Sequence, residues 1–259
     1  MTQPVFAFYE RGMNIQFLFQ DKKVVVTGGG RGIGFEISRR FLVAGATVAI
    51  WDYSAEALDV ARKELSSFAG RALFSQVDVT KMSSCELAAQ ALPFSIDVLV
   101  NNAGITRDKS LAKMTSDDFD AVIQTNLTGV FNVTKSLLSK FSAAGPKRII
   151  SISSVVALYG NFGQTNYVAA KAGVIGMTRT WARELGRKGF TANAIAPGFT
   201  STPMVDQMPA EARKSMEGKV PSGRLGQTAD IANACLYLAS EEAGYVNGAV
   251  LSVDGGLVC

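Results

Sequence analysis

Lys23-Val24-Val25-Val26-Thr27 runs directly into Gly28-Gly29-Gly30-Arg31-Gly32-Ile33-Gly34. The three valines and Thr27 are β-branched, and the run does not alternate polar with apolar. That predicts a strand buried on both faces. From Gly32 to Ala44 the period changes: Ile33, Ile37, Phe41 and Ala44 fall on one helical stripe. A glycine cluster by itself marks only a tight turn. Between this strand and this helix it does more, because it lets backbone approach a pyrophosphate at a helix N-terminus, where N–H groups and the dipole favour an anion. The strict G-x-G-x-x-G pattern fails at Ile33; the spacing is Gly28-x3-Gly32-x-Gly34. The turn reads as a nucleotide site, with Gly28, Gly30, Arg31, Gly32, Ile33 and Gly34 as its members.

The same alternation continues along the chain. Strands are predicted at 47–51, 72–79, 98–101, 148–152, 191–196 and 249–253. Helices are predicted at 55–68, 85–91, 116–138, 166–187 and 229–238. Repeated βα units imply one α/β domain, a doubly wound parallel sheet of about seven strands with helices on both faces. Ligands of such a sheet bind beyond the carboxyl ends of its strands. The domain is placed at 21–259. Residues 1–20 read as a leader or start-site extension, with Met13 an alternative start.

Composition removes many chemistries. The 259 residues are 47% hydrophobic and 19% charged, a globular balance, and the formal net charge of +4 gives no nucleic-acid signal. No apolar run is long enough to span a membrane. There is no histidine, which excludes Ser-His-Asp and Cys-His catalysis and histidine metal sites. Cys85, Cys235 and Cys259 are scattered, so no metal site is expected, and reduced thiols point to the cytoplasm.

The second strand ends in Trp51-Asp52-Tyr53, with Asp52 18 residues after Gly34. A carboxylate there accepts hydrogen bonds from both adenosine ribose hydroxyls. It repels a 2′-phosphate by roughly 4 kcal/mol per charge pair at an effective dielectric of about 20. Asp52, with Tyr53 beside it, therefore favours NAD(H) over NADP(H). Arg31 argues the other way, since an arginine can pair with that phosphate.

Tyr167 and Lys171 are i, i+4 at the start of a predicted helix and share a face. An ammonium beside a phenol favours its phenolate, so Tyr167 could act as general acid in a reduction and base in an oxidation. Alone, the pair is ordinary on a helix surface. Here a predicted strand ends at Ser153-Ser154, 13 residues before Tyr167. That places a hydroxyl at the ligand edge, able to donate to a carbonyl oxygen.

Together these residues resemble the short-chain dehydrogenases/reductases. The matching positions are Thr27-Gly28-x3-Gly32-Ile33-Gly34, Asp78, Asn101-Asn102-Ala103-Gly104, Asn126, Ser154, Tyr167-x3-Lys171, Pro197-Gly198 and Asp254-Gly255-Gly256. They occur in family order from about residue 20 onward. The resemblance implies a Rossmann-type domain and a catalytic set of Asn126, Ser154, Tyr167 and Lys171. Tyr167 would be the proton donor, Lys171 would lower its pKa and hold the nicotinamide ribose, Ser154 would orient the carbonyl, and Asn126 would keep a water relay to Lys171. Asp78 and Val79 would contact adenine, and Asn102, Ala103 and Gly104 would lie along the cofactor. Pro197, Gly198, Thr200 and Thr202 would line its nicotinamide side. The family also implies a homotetramer, with the long helices after the fourth and fifth strands forming one interface.

Residues 101–108 (NNAGITRD), 125–130 (TNLTGV), 160–167 (GNFGQTNY) and 220–225 (VPSGRL) are similar to the 3-oxoacyl-[acyl-carrier-protein] reductase branch and to acetoacetyl-CoA reductases. That implies reduction of a 3-oxoacyl thioester in fatty acid biosynthesis, with acyl carrier protein as candidate partner. Two features depart from the branch. Asp52 favours NADH where the branch mostly uses NADPH. Of the basic residues expected at the active-site mouth, Lys188 matches, while Gly145 stands at the other position with Lys147 and Arg148 offset from it. Met204, Met208 and Met216 suit either a lid over an acyl chain or an ordinary helix. An NAD-dependent alcohol dehydrogenase acting on a hydroxy acid, sugar alcohol or steroid is the competing reading. A non-catalytic nucleotide-binding scaffold is the reading from another class.

Overall fold

A computed structural model describes residues 17–201 and 210–258. Seven strands, β1 (Lys23–Thr27), β2 (Thr47–Asp52), β3 (Ala72–Gln76), β4 (Val98–Asn101), β5 (Lys147–Ile152), β6 (Phe190–Pro197) and β9 (Val250–Val253), form one sheet in the order β3-β2-β1-β4-β5-β6-β9. Every pairing is parallel. The order reverses between β1 and β4, and that switch point opens a crevice at their carboxyl ends. Two-residue strands β7 (Thr200–Ser201) and β8 (Gly226–Gln227) pair separately.

Period-two alternation sends each strand's side chains into two cores. Val24, Val26, Val48, Ile50, Val100 and Ile150 face α1 (Gly32–Val43) and the late helix Thr228–Ala239. Val25, Ala49, Trp51, Leu99, Ile149 and Ala192 face the other way. They pack on Met82–Ala91, Gly129–Leu137 and the end of the long helix Thr165–Leu185. Burial on both faces explains why the strands read as continuous apolar runs.

Several expected boundaries move, for local reasons. β3 stops at Gln76 rather than Val79, because Asp78 turns its own N–H to Ser84 and its carboxylate to Thr80. The helix expected over 116–138 is two helices, Ser116–Ile123 and Gly129–Leu137, joined by a π-helical turn at Gln124–Thr128. A short helix at Val156–Tyr159 precedes the long one. Phe19 is buried edge-on against Phe41, and its N–H donates to Ala44. Residues 1–12 and Met13 lie outside the described residues.

Candidate active site

The glycine-rich turn is shaped by what crowds it. Gly28 and Gly32 have φ of +61° and +57°, a region L side chains avoid. A Cβ at Gly34 would overlap the Gly28 carbonyl and the Asn102 amide. Asn102 staples the turn to β4, donating through Nδ2 to the Thr27 and Gly28 carbonyls at 3.0 Å each. The Thr27 hydroxyl accepts from the N–H groups of Asn102 and Ala103 at 3.0 and 3.1 Å. The two strand ends flanking the crevice are thus tied together by side chain and backbone.

This cradle suits a dinucleotide. A Cβ at Gly32 would meet only open space. Arg31, the N-cap of α1, is exposed and makes no side-chain cap, and the first turn carries no acidic residue. The helix therefore presents uncapped N–H groups, with Ile33 half-buried behind them. Asp52, at the tip of β2, is buried and accepts from the N–H groups of Gly30 and Ser54, 3.0 Å each. Lone pairs remain on both of its oxygens. Tyr53 beside it is 70% exposed.

Asp78 and Val79 follow β3, with Val79 buried. Burial pushes the Asp78 carboxyl up, but hydrogen bonds from Thr80 and the Lys81 ammonium outweigh it and hold the carboxyl below its ordinary range. On the far side, Pro197 ends β6 and Gly198 packs so tightly on Asp254 that a Cβ would lie 2.7 Å from it. The Thr200 hydroxyl donates to the Gly198 carbonyl at 3.1 Å. Thr202, Met204 and Met208 lie outside the described residues. Met216 is half-buried in the helix Ala210–Glu217.

Ser154, Tyr167 and Lys171 come together beyond the end of β5. Ser154 lies close enough to the Tyr167 phenol to favour its ionised form. The Lys171 ammonium, almost fully buried, donates to the Ile152 carbonyl at 2.7 Å and lies 5.7 Å from the Tyr167 ring centre. Asn126 is fully buried in the π-helical turn, and its side-chain amide exchanges two 2.8 Å hydrogen bonds with the backbone of Ile105. Gly104 lies between these groups: a Cβ there would sit 3.2 Å from Asn126 Oδ1 and 3.6 Å from Lys171 Nζ.

Burial pushes the Tyr167 phenol up to about 12, against a smaller lowering by Ser154. Burial likewise lowers Lys171 to about 8. Desolvation disfavours the charged form of each group.

One correction concerns the basic residues. Lys147 and Arg148 open β5, and Lys188 precedes β6, so all three lie at the amino edge of the sheet. That is a strand length, about 20 Å, from Ser154. Arg148 is buried and donates to the Ser240 carbonyl.

Residues given no role in the sequence reading do much of the positioning. Thr27 binds the crevice walls together, Ser153 donates to the Lys171 carbonyl at 2.9 Å, and Asn166 caps Tyr167. Each directly adjoins a residue that was found, which is the signal that could have identified it. Among the described residues no cluster of His, Cys, Asp or Glu is placed to hold a metal ion. No helix is long and apolar enough to cross a membrane.

Residues 28–258 match a family model described as enoyl-(acyl carrier protein) reductase. The chain is also similar to proteins named 3-oxoacyl-[acyl-carrier-protein] reductase FabG. It is 44% identical over 242 residues to that of Thermotoga maritima, covering 92% of this chain and 98% of the relative. It is 44% identical to that of Chlamydia trachomatis over 246 residues, 93% and 98% of the two chains. For Staphylococcus aureus the identity is 43% over 243 residues, 91% and 98%.

Proposed function

The chain belongs to the short-chain dehydrogenase/reductase family, and on that premise we propose that it reduces the C3 ketone of 3-oxoacyl thioesters with a nicotinamide cofactor. The observation that carries this is the grouping of Ser154 and Tyr167 beside the buried Lys171 ammonium, 5.7 Å from the Tyr167 ring centre, beyond the carboxyl ends of the strands. The family model and the relatives differ in the bond their names reduce, C=C against C=O. Two neighbouring hydroxyls suit a carbonyl oxygen, which can accept a hydrogen bond from each.

Bound in the Gly28–Gly34 cradle, the nicotinamide would supply the hydride. The chain's own residues do the rest. Ser154 holds the carbonyl oxygen. Tyr167 keeps its proton at neutral pH and delivers it to that oxygen as negative charge develops. Lys171 stands ready to stabilise the phenolate left behind, and Asn126 holds the adjacent 104–105 backbone.

Asp52 supports a preference for NADH, by the charge argument above. The relatives' names support an acyl-carrier-protein thioester as substrate. We place the protein in the cytoplasm, a reading supported by the buried free thiols of Cys85 and Cys235, and as a homotetramer on family grounds.

The test is initial rates of acetoacetyl-CoA reduction with NADH and NADPH side by side. A clear NADH preference is expected. An NADPH preference keeps the reductase and removes the Asp52 argument. No rate with either, together with oxidation of free secondary alcohols, moves the assignment to the alcohol dehydrogenases.

A further inference from the structure

Asn166 is completely buried at the start of the long helix Thr165–Leu185. Its Oδ1 accepts from the Tyr167 N–H at 2.8 Å. Tyr167 is the third residue of that helix, so its N–H has no intrahelical carbonyl to bind. Asn166 Nδ2 donates in the opposite direction, at 3.0 Å to each of two carbonyls, Arg107 and Asp118. Both amide hydrogens are thereby used.

Those carbonyls belong to separate parts of the chain. Asp118 is in the first turn of the helix Ser116–Ile123. Arg107 is in the strap 105–109, which is held at Ile105 by Asn126. The strap is also held from outside, where Lys109 N donates to the Gly163 carbonyl at 2.9 Å and Gln164 Nε2 to Asp108 at 2.7 Å. A continuous hydrogen-bonded strut therefore runs from Asn126 through Ile105 and Arg107 to Asn166 and Tyr167.

We infer that Asn166 is a positioning residue for proton transfer: it fixes where the Tyr167 phenol stands relative to Ser154 and Lys171, by locking the helix start to the strap that Asn126 holds. This rests on Tyr167 being the proton donor. It adds a residue with no contact to substrate, and it predicts that Asn126 and Asn166 act as one unit.

Asn166→Asp tests it. The variant keeps an oxygen for the Tyr167 N–H and loses both donors, so a carboxylate faces two carbonyls. When protonated it regains one donor. Near pH 8, kcat is expected to fall about 10- to 100-fold, the scale of a misplacement of ~1 Å, with the half-saturating NADH concentration nearly unchanged. The deficit relative to the parent should then shrink several-fold from about pH 8 to about pH 6, as a buried carboxyl facing carbonyls takes up its proton. The neighbouring charges Asp108, Lys109, Asp118 and Lys171 are common to parent and variant, so the ratio of the two profiles isolates position 166. A parent-like kcat, or a deficit that does not change with pH, overturns the inference. A cycle of Asn126→Ala and Asn166→Ala gives a second readout: losses well short of multiplicative support one strut, and multiplicative losses refute it. The ratios are taken on any carbonyl substrate the parent reduces. A parent that reduces ketones but no thioester thus sinks the substrate reading and leaves this comparison intact.

Discussion

The Lys171 ammonium stands 5.7 Å from the centre of the Tyr167 ring and spends a hydrogen bond, 2.7 Å long, on the Ile152 carbonyl. It is near enough to act on the phenol as charge develops, yet anchored by backbone. This geometry suits a donor that holds its proton until a carbonyl oxygen demands it. Tyr167→Phe should therefore lower kcat by about 10²- to 10⁴-fold, the usual contribution of a positioned general acid. Binding of NADH, followed by its fluorescence, should change little. Turnover that survives the substitution would remove Tyr167 from the mechanism.

Burying that ammonium is a cost to folding. Lys171 is lowered to about 8 in the folded chain, against about 10.4 unfolded. Between those values the unfolded chain carries the extra proton, so this group makes stability rise with pH. Below about pH 8 its burial costs a constant amount, roughly 3 kcal/mol. Lys171→Met removes that cost but leaves the Ile152 carbonyl without its donor, a loss of about 1–3 kcal/mol. Denaturant titrations at neutral pH should find the variant at least as stable as the parent, although inactive. The advantage should disappear by about pH 10. A stability difference that stays constant with pH would mean that the ammonium is not desolvated.

The glycine-rich turn offers a steric test. Gly34→Ala would push a methyl group into the Gly28 carbonyl and the Asn102 amide. The clash is with backbone, so the turn has to shift, at about 1–3 kcal/mol. Because Asn102 links the turn to β4, NADH affinity should fall together with the melting temperature. Gly32→Ala meets no atoms but is strained by a φ of +57°. It should cost stability without breaking that link. Equal effects of the two substitutions on NADH affinity would argue against the staple.

The parallel sheet was legible because strands buried on both faces leave uninterrupted apolar runs, as Val24–Val26 and Val98–Val100 do. The candidate catalytic side chains were legible because Tyr167 and Lys171 share a helical face and Ser154 follows the end of a strand. What escaped depends on distance in the chain. The π-helical turn at Asn126 continues the helical periodicity on either side, so nothing in the sequence marks it. Asn166 looks like any polar residue at a helix start until Arg107 and Asp118 are brought to it. How deeply the Tyr167 phenol is desolvated escaped for the same reason, since burial depends on what the rest of the chain packs around it. The burial of Arg148 escaped in the same way, because its partner Ser240 is 92 residues away.

Asp52 joins cofactor choice to the shape of the site. Its carboxylate holds the turn through Gly30 and the next helix through Ser54, so it cannot be removed without loosening the cradle. Asp52→Asn retains one oxygen of similar shape and discharges the group. If its charge excludes a 2′-phosphate, the ratio of kcat/KM for NADPH to that for NADH should rise at least about 10-fold, equivalent to about 1.4 kcal/mol of relieved repulsion. The rate with NADH should fall as well, because one ribose acceptor is weakened. Adding Arg31→Ala separates the contributions: loss of the new NADPH activity would identify the arginine as the phosphate's partner. A ratio unmoved by Asp52→Asn would leave the carboxylate with only its hydrogen bonds to Gly30 and Ser54, and selection would then lie elsewhere in the site.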